Sequence, residues 1–133
     1  MRVLIADDHQ VIRGRVRVIL SYDLDIELFE AANGQEAINK TLELSPDLVI
    51  LDLSMPVMGG YAAAQELRRL APKIPILFFS IHEGTQLVKE VKAAGARGFL
   101  HKSKASVLLL EAVYELVLRR GTFFPGNELD YVS

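Results

Sequence analysis

Short apolar runs alternate along the chain with longer stretches in which apolar and polar residues mix at helical spacing. The runs are Val3–Ala6, Ile26–Phe29, Leu48–Leu51, Ile76–Phe79 and Gly98–Leu100. Three of them are apolar without interruption over four residues, the pattern of strands covered on both faces. Between and after them lie predicted helices over Gln10–Ser21, Gly34–Leu44, Gly60–Leu70, Gly84–Ala94 and Ala105–Arg120. Asn33-Gly34 and Ser45-Pro46 bracket the second helix, Pro72 and Pro75 follow the third, and Gly95 closes the fourth. Arg119 and Arg120 suit the last turn of the fifth, with Gly121 as its left-handed terminator. Strict strand–helix alternation predicts an α/β domain with a doubly wound, five-stranded parallel sheet in the flavodoxin-like order 2-1-3-4-5, helices on both faces. The sequence predicts one domain over 1–121 and a C-terminal extension, or the start of a linker, over 122–133.

Composition narrows the class. The 133 residues are 50% hydrophobic, too apolar for a disordered chain, yet hold no run near the ~18–20 residues that span a bilayer. With no cysteine, disulfide scaffolds, thiolate metal sites and cysteine nucleophiles are all excluded. Fifteen Lys and Arg against 17 Asp and Glu leave a net charge of −2, no basis for broad nucleic-acid binding. Met1–Ala6 is apolar too briefly, before Asp7 and Asp8, for a signal peptide. A soluble cytoplasmic domain is expected, with no membrane partner.

In an open parallel sheet, ligands bind beyond the carboxyl ends of the strands, where the winding direction reverses. At those ends stand Asp7 and Asp8, Asp52, Ser80 and Lys102. Three converging carboxylates raise one another's pKa unless cations neutralise them. Lys102 alone leaves the cluster about two charges short. A divalent metal makes up that difference, and an all-oxygen donor set favours Mg2+. Such a site can hold a phosphoryl group, with Ser80 donating a hydrogen bond and one carboxylate as nucleophile. Asp52, fixed by the apolar run before it, is the candidate. Taken singly the residues are ambiguous: an acidic pair in a loop is usually solvated, and Asp8 could cap the first helix. Their coincidence at strand ends is what carries the reading.

Asp7-Asp8, Asp52 within Asp-Leu-Val-Ile-Leu-Asp-Leu-Ser-Met-Pro, Ser80 and Lys102 together resemble the receiver domain of two-component response regulators. Leu-Ile-Ala-Asp-Asp-His with Arg13, and Gly-Phe-Leu-His-Lys-Ser, look most like the NarL/FixJ group. The resemblance implies that Asp52 accepts a phosphoryl group from a sensor histidine kinase. It implies that Asp8, Asp52 and the Ser54 carbonyl bind Mg2+ directly, with Asp7 acting through water. Lys102 and Ser80 would contact the phosphoryl group, and Ser80 with Phe99 would form the switch, the hydroxyl moving toward phosphate while the aromatic turns inward. His82 and Ser54, each two residues beyond a site residue, would tune dephosphorylation. Members of the group usually add a helix-turn-helix domain, so transcription control is expected through a DNA-binding domain outside this chain. The alternative is a stand-alone receiver acting by protein contact. Arg15, Gly59-Gly60 and Ser103 depart from the family habit.

Enzyme readings fare worse. A phosphohydrolase of the haloacid-dehalogenase kind needs an acid two residues after its nucleophile, where this chain has Ser54. A flavin carrier needs a hydroxyl-rich phosphate loop where Asp7 and Asp8 stand. No glycine-rich nucleotide loop occurs. No catalysis is therefore expected beyond phosphoryl uptake and loss at Asp52. The fifth helix carries more apolar residues than one core-facing stripe needs, from Val107 to Leu118, which predicts either a well-covered helix or a face for a homodimer or effector docking. Arg13 and Arg17 share a face of the first helix that is read as solvated or kinase-docking. His9, His82 and His101 are not read as a zinc site.

Overall fold

The computed structural model describes residues 1–125. Five strands and five helices alternate within them: β1 Arg2–Ala6, α1 Gln10–Leu20, β2 Glu27–Ala31, α2 Gly34–Leu44, β3 Leu48–Asp52, α3 Gly60–Leu70, β4 Ile76–Ser80, α4 Thr85–Ala93, β5 Gly98–His101 and α5 Ala105–Val117. A single 3-10 turn, Lys102–Lys104, joins β5 to α5. The strands lie in the order β2-β1-β3-β4-β5, and every neighbouring pair is parallel. This is the doubly wound sheet that the alternation of runs predicts.

Successive strand residues point to opposite faces, so a strand covered on both sides is apolar at every position up to the polar residue at its carboxyl end. β3 and β4 are buried throughout and β1 at all but Arg2. Leu4, Val49, Leu51 and Phe78 pack with Ala63, Leu67 and Val91 on one face; Ile5, Ile50, Leu77 and Phe79 pack with Val16, Leu20, Leu109 and Val113 on the other. Each fully buried Leu, Ile or Phe contributes about 1.5–3 kcal/mol of transfer free energy.

Local signals set most element ends. The Asn33 side chain accepts a hydrogen bond from the Glu36 N–H at 2.9 Å and caps α2, while Ser45 ends it at φ 46°. Gly95 takes φ 91° after α4. Three expectations need correction. β2 begins and ends later than Ile26–Phe29, because as an edge strand it is only partly buried and its apolar residues do not mark its limits. The first helix is not capped by Asp8: His9 holds the cap position, and its N–H donates to Asp7 Oδ1 at 2.9 Å. α5 stops at Val117, and Arg120, not Gly121, adopts the left-handed φ of 53°. The Arg97 guanidinium donates to the Arg120 and Gly121 carbonyls at 2.6 and 3.1 Å, a distant partner that holds this strained turn.

After the turn the chain runs back beside β5. Phe123 N–H donates to Arg97 O at 2.9 Å, and Phe99 N–H donates to Phe123 O at 2.8 Å. Phe124, 6% exposed, joins Val88, Val91 and Phe99 in the core, with the Lys92 ammonium 4.6 Å from its ring centre. Of the expected extension over 122–133, residues 126–133 lie outside the described residues. Most of the apolar residues of α5 are spent inside the domain, leaving Val107 and, just past its end, Leu118 as the exposed large ones. No helix among the described residues is long and apolar enough to cross a membrane.

Candidate functional site

The carboxyl ends of β1, β3, β4 and β5 meet at one edge of the sheet. β1 delivers Asp7, fully buried, and Asp8, whose side chain is 31% exposed. β3 ends in Asp52 and β4 in Ser80, 5% and 1% exposed. The Lys102 ammonium reaches back over them, 2.7 Å from Asp7 Oδ2 and 3.4 Å from Asp52 Oδ1. Asp52, Ser54, Ser80, His82, Lys102 and His9 line a cavity of about 240 Å³. Ser54 and His82 stand exposed at its rim, while Phe99 is already turned into the core.

Backbone architecture holds these groups. The Arg13 guanidinium donates to the Asp7 carbonyl at 2.7 Å, fixing the end of β1 against α1. Gly60 lets α3 start directly against β3, its N–H donating to Leu53 O at 2.9 Å. A side chain there would bring Cβ to 2.8 Å from Leu53 Cα, so only glycine allows this approach. The Ser80 hydroxyl accepts the His82 N–H at 2.9 Å and keeps its own proton free to donate.

Electrostatically the cluster is short of positive charge. Burial pushes the Asp52 carboxyl above its ordinary range and the neighbouring Asp7 pushes it further, against the opposing effects of Lys102 and the Ser54 N–H. Asp7 Oδ2 is buried with no hydrogen-bond partner; the Lys102 ammonium lies close but without a hydrogen bond's alignment. Ligand atoms of Asp7, Asp8, His9 and Asp52 all lie within 4.8 Å of one another. A buried carboxylate oxygen without an aligned hydrogen bond, sharing its one ammonium with a second acid, fits a hard divalent cation such as Mg2+, which prefers oxygen donors and keeps several waters.

A family model described as the response regulator receiver domain matches residues 3–114. The chain belongs to that family. It is 39% identical over 114 residues to the transcriptional activator protein ExaE of Pseudomonas putida, covering 85% of this chain and 53% of that protein. Over 104 residues it is 36% identical to a protein-glutamate methylesterase/protein-glutamine glutaminase of Aliivibrio fischeri, covering 77% of this chain and 28% of that one. A crystal structure of a LuxR-family two-component response regulator from Aurantimonas superposes with a TM-score of 0.83 at 31% identity, covering 92% of this chain and 87% of that chain. This receiver domain thus spans about half or less of the length of these curated relatives, and it resembles the NarL/LuxR type. Receiver domains are phospho-acceptors that bind Mg2+ at an acidic pocket and partner with sensor histidine kinases.

Of the residues named from strand-end positions, Asp52, Ser80 and Lys102 thus line one cavity, and Asp7 and Asp8 join Asp52 in the acidic cluster beside it. Strand ends could not reveal the supports. His9 Nδ1 stands 3.2 Å from carboxylate oxygens of both Asp7 and Asp8. The His101 ring binds Ile81 O and Ser103. The His9 contacts are local in the chain, but the His101–Ile81 contact joins residues 20 apart, outside any local window of sequence.

Proposed function

We propose that this receiver domain is phosphorylated on Asp52 by a sensor histidine kinase and passes the change to an effector that controls transcription. The observation that carries the reading is the buried Asp52 carboxylate sharing a single ammonium with Asp7. Desolvation beside a second acid raises the basicity of Asp52, which favours attack on phosphorus. One Asp52 oxygen forms the new P–O bond as the bond to the donor's leaving group breaks, and that group departs with its electron pair. Lys102 offers N–H donors to a phosphoryl oxygen, and the Ser80 O–H offers another. Asp8, Asp52 and the Ser54 carbonyl would hold Mg2+ directly, with Asp7 acting through water. When bound, the ion neutralises charge on the phosphoryl oxygens. No acid stands two residues after Asp52, which opposes turnover of external phosphate esters; the domain's chemistry is confined to its own phosphoryl group.

The phosphoryl group adds roughly −1.5 to −2 charge, which draws Ser80 and its loop. Moving a two-state equilibrium from 1:99 to 99:1 takes about 5.5 kcal/mol. One charge-assisted hydrogen bond gives about 1.5–3 kcal/mol, so self-association is expected to assist. A homodimer would use the α5 side, where Val11 and Val18 of α1 stand exposed beside a groove of about 720 Å³. Residues 1–121 form the receiver, onto which Phe123 and Phe124 pack, 122–133 are a C-terminal extension or the start of a linker to the effector, and the setting is cytoplasmic. Beryllofluoride with Mg2+ tests the reading: a spectral and gel-filtration change that Asp52→Asn abolishes supports it. Steady hydrolysis of a generic phosphate ester favours the phosphohydrolase instead.

A further inference from the structure

Ser80 and Lys102 reach the cavity from different loops, so phosphoryl transfer depends on how those loops are held relative to each other. The ladder between β4 and β5 ends at the Ser80–His101 pair. Beyond it, the His101 side chain continues the connection. Its Nε2 lies 2.7 Å from Ile81 O, and its Nδ1 lies 2.6 Å from Ser103 Oγ and 3.2 Å from Ser103 N. The ring therefore joins the residue after Ser80 to the residue after Lys102.

The partners dictate the ring's protonation pattern. A carbonyl only accepts, so Nε2 carries a hydrogen; a backbone amide only donates, so Nδ1 is bare. The two together select the neutral Nε2–H tautomer. The bond to Ile81 matters because the Ile81 side chain is 66% exposed and gives its loop no apolar anchor. With its carbonyl held by His101, and His82 N–H donating to Ser80 Oγ, the loop keeps the Ser80 proton free for an acceptor in the cavity.

Building on Asp52 as the phosphoryl acceptor, we propose that His101 is a positioning residue for phosphoryl transfer. Through its Nε2–H tautomer it fixes the Ser80 loop against the Lys102 loop, so that hydroxyl and ammonium converge on one phosphoryl group. His101 contacts none of the three acids in the hydrogen bonds and ion pairs of the structure, so it serves phosphoryl binding and not metal binding.

The test compares His101→Leu with His101→Gln, whose side-chain amide can place a donor near the Nε2 position. Phosphoryl uptake from acetyl phosphate is timed at saturating Mg2+, Mg2+ affinity is titrated separately, and long-range proton–nitrogen spectra of the unsubstituted protein report the tautomer. The expected result is a loss of about tenfold in the uptake rate constant for His101→Leu, the worth of one hydrogen bond. His101→Gln recovers most of it, Mg2+ affinity is unchanged in both, and the ring shows the Nε2–H pattern. An unaltered rate in His101→Leu overturns the proposal, as does an Nδ1–H ring. Equal losses in both variants with weakened Mg2+ binding mark a merely structural role and also overturn it. Asp52→Asn run alongside separates the two ideas: if it still takes up phosphate the acceptor reading fails, and if it does not while His101→Leu is silent, only the positioning role fails.

Discussion

Two acidic side chains near the carboxyl ends of β2 and β3, strands separated in the sheet by β1, show opposite electrostatic arrangements. Glu30 on β2 receives the Arg13 Nε at 2.9 Å and the Arg17 guanidinium at 2.6 Å. Its carboxyl is held below the ordinary range, first by the Arg17 hydrogen bond. Asp52 on β3 is more deeply buried, shares Lys102 with Asp7 and is pushed upward. Two cations serve one acid at Glu30; one cation serves two acids at Asp52. The first arrangement fastens α1 to the sheet edge and leaves nothing to react. The second leaves electron pairs uncompensated, which costs stability and creates a site for an ion and a phosphoryl group.

The largest test of this contrast is chemical. Asp52→Asn should reduce phosphoryl uptake from acetyl phosphate by at least roughly 10³-fold, seen as the missing mass increment, whereas Glu30→Gln should retain it. Next, Lys102→Ala leaves Asp7 and Asp52 facing each other without a cation, and should cost about 3–5 kcal/mol in denaturant titrations without metal. Part of that loss should return with millimolar Mg2+; a variant as stable as the parent would break the charge account.

The pH dependence should differ in sign. Asp52 binds its proton more tightly in the folded chain, so its stabilising contribution is complete below its ordinary value of 3.8 and is lost as pH rises through the higher folded value. Asp52→Asn should therefore be more stable than the parent at pH 7 without metal, because Lys102 then faces Asp7 alone. Glu30 contributes above its ordinary value of 4.5 and loses that contribution as pH falls through the lower folded value. Glu30→Gln should cost about 1.5–3 kcal/mol at most at pH 7, and the cost should shrink as pH falls below 4.5 and through the lower folded value. The smallest effect belongs to Arg17→Ala. Its side chain is 51% exposed, so the loss should stay under about 1 kcal/mol and shrink with added salt. A larger loss would place Arg17 among the buried supports.

The legibility of the sequence followed burial. β1, β3 and β4 are covered on both faces, so their apolar runs could be read directly, and the acids and hydroxyl that end them could be named. β2, a half-exposed edge strand, gave a weaker pattern and shifted limits. The left-handed turn fell on Arg120 instead of Gly121 because Arg97, 23 residues earlier, binds its carbonyl. Phe124 reads as part of a loose tail but is buried against Phe99 and Val91. The arginines at 13 and 17 share a helix face in the sequence, yet only the fold supplies Glu30 as their partner.

The sequence by itself determined the α/β alternation, the parallel sheet and the identity of the residues at its carboxyl edge, because burial on two faces and strand punctuation are local properties of the chain. Tertiary structure alone decided that Lys102 is shared between Asp7 and Asp52, that Asp7 Oδ2 is left without a hydrogen bond, and that His101 reaches Ile81. Those facts depend on distances between groups 20 to 95 residues apart, which no stretch of sequence contains until the sheet brings its strand ends together.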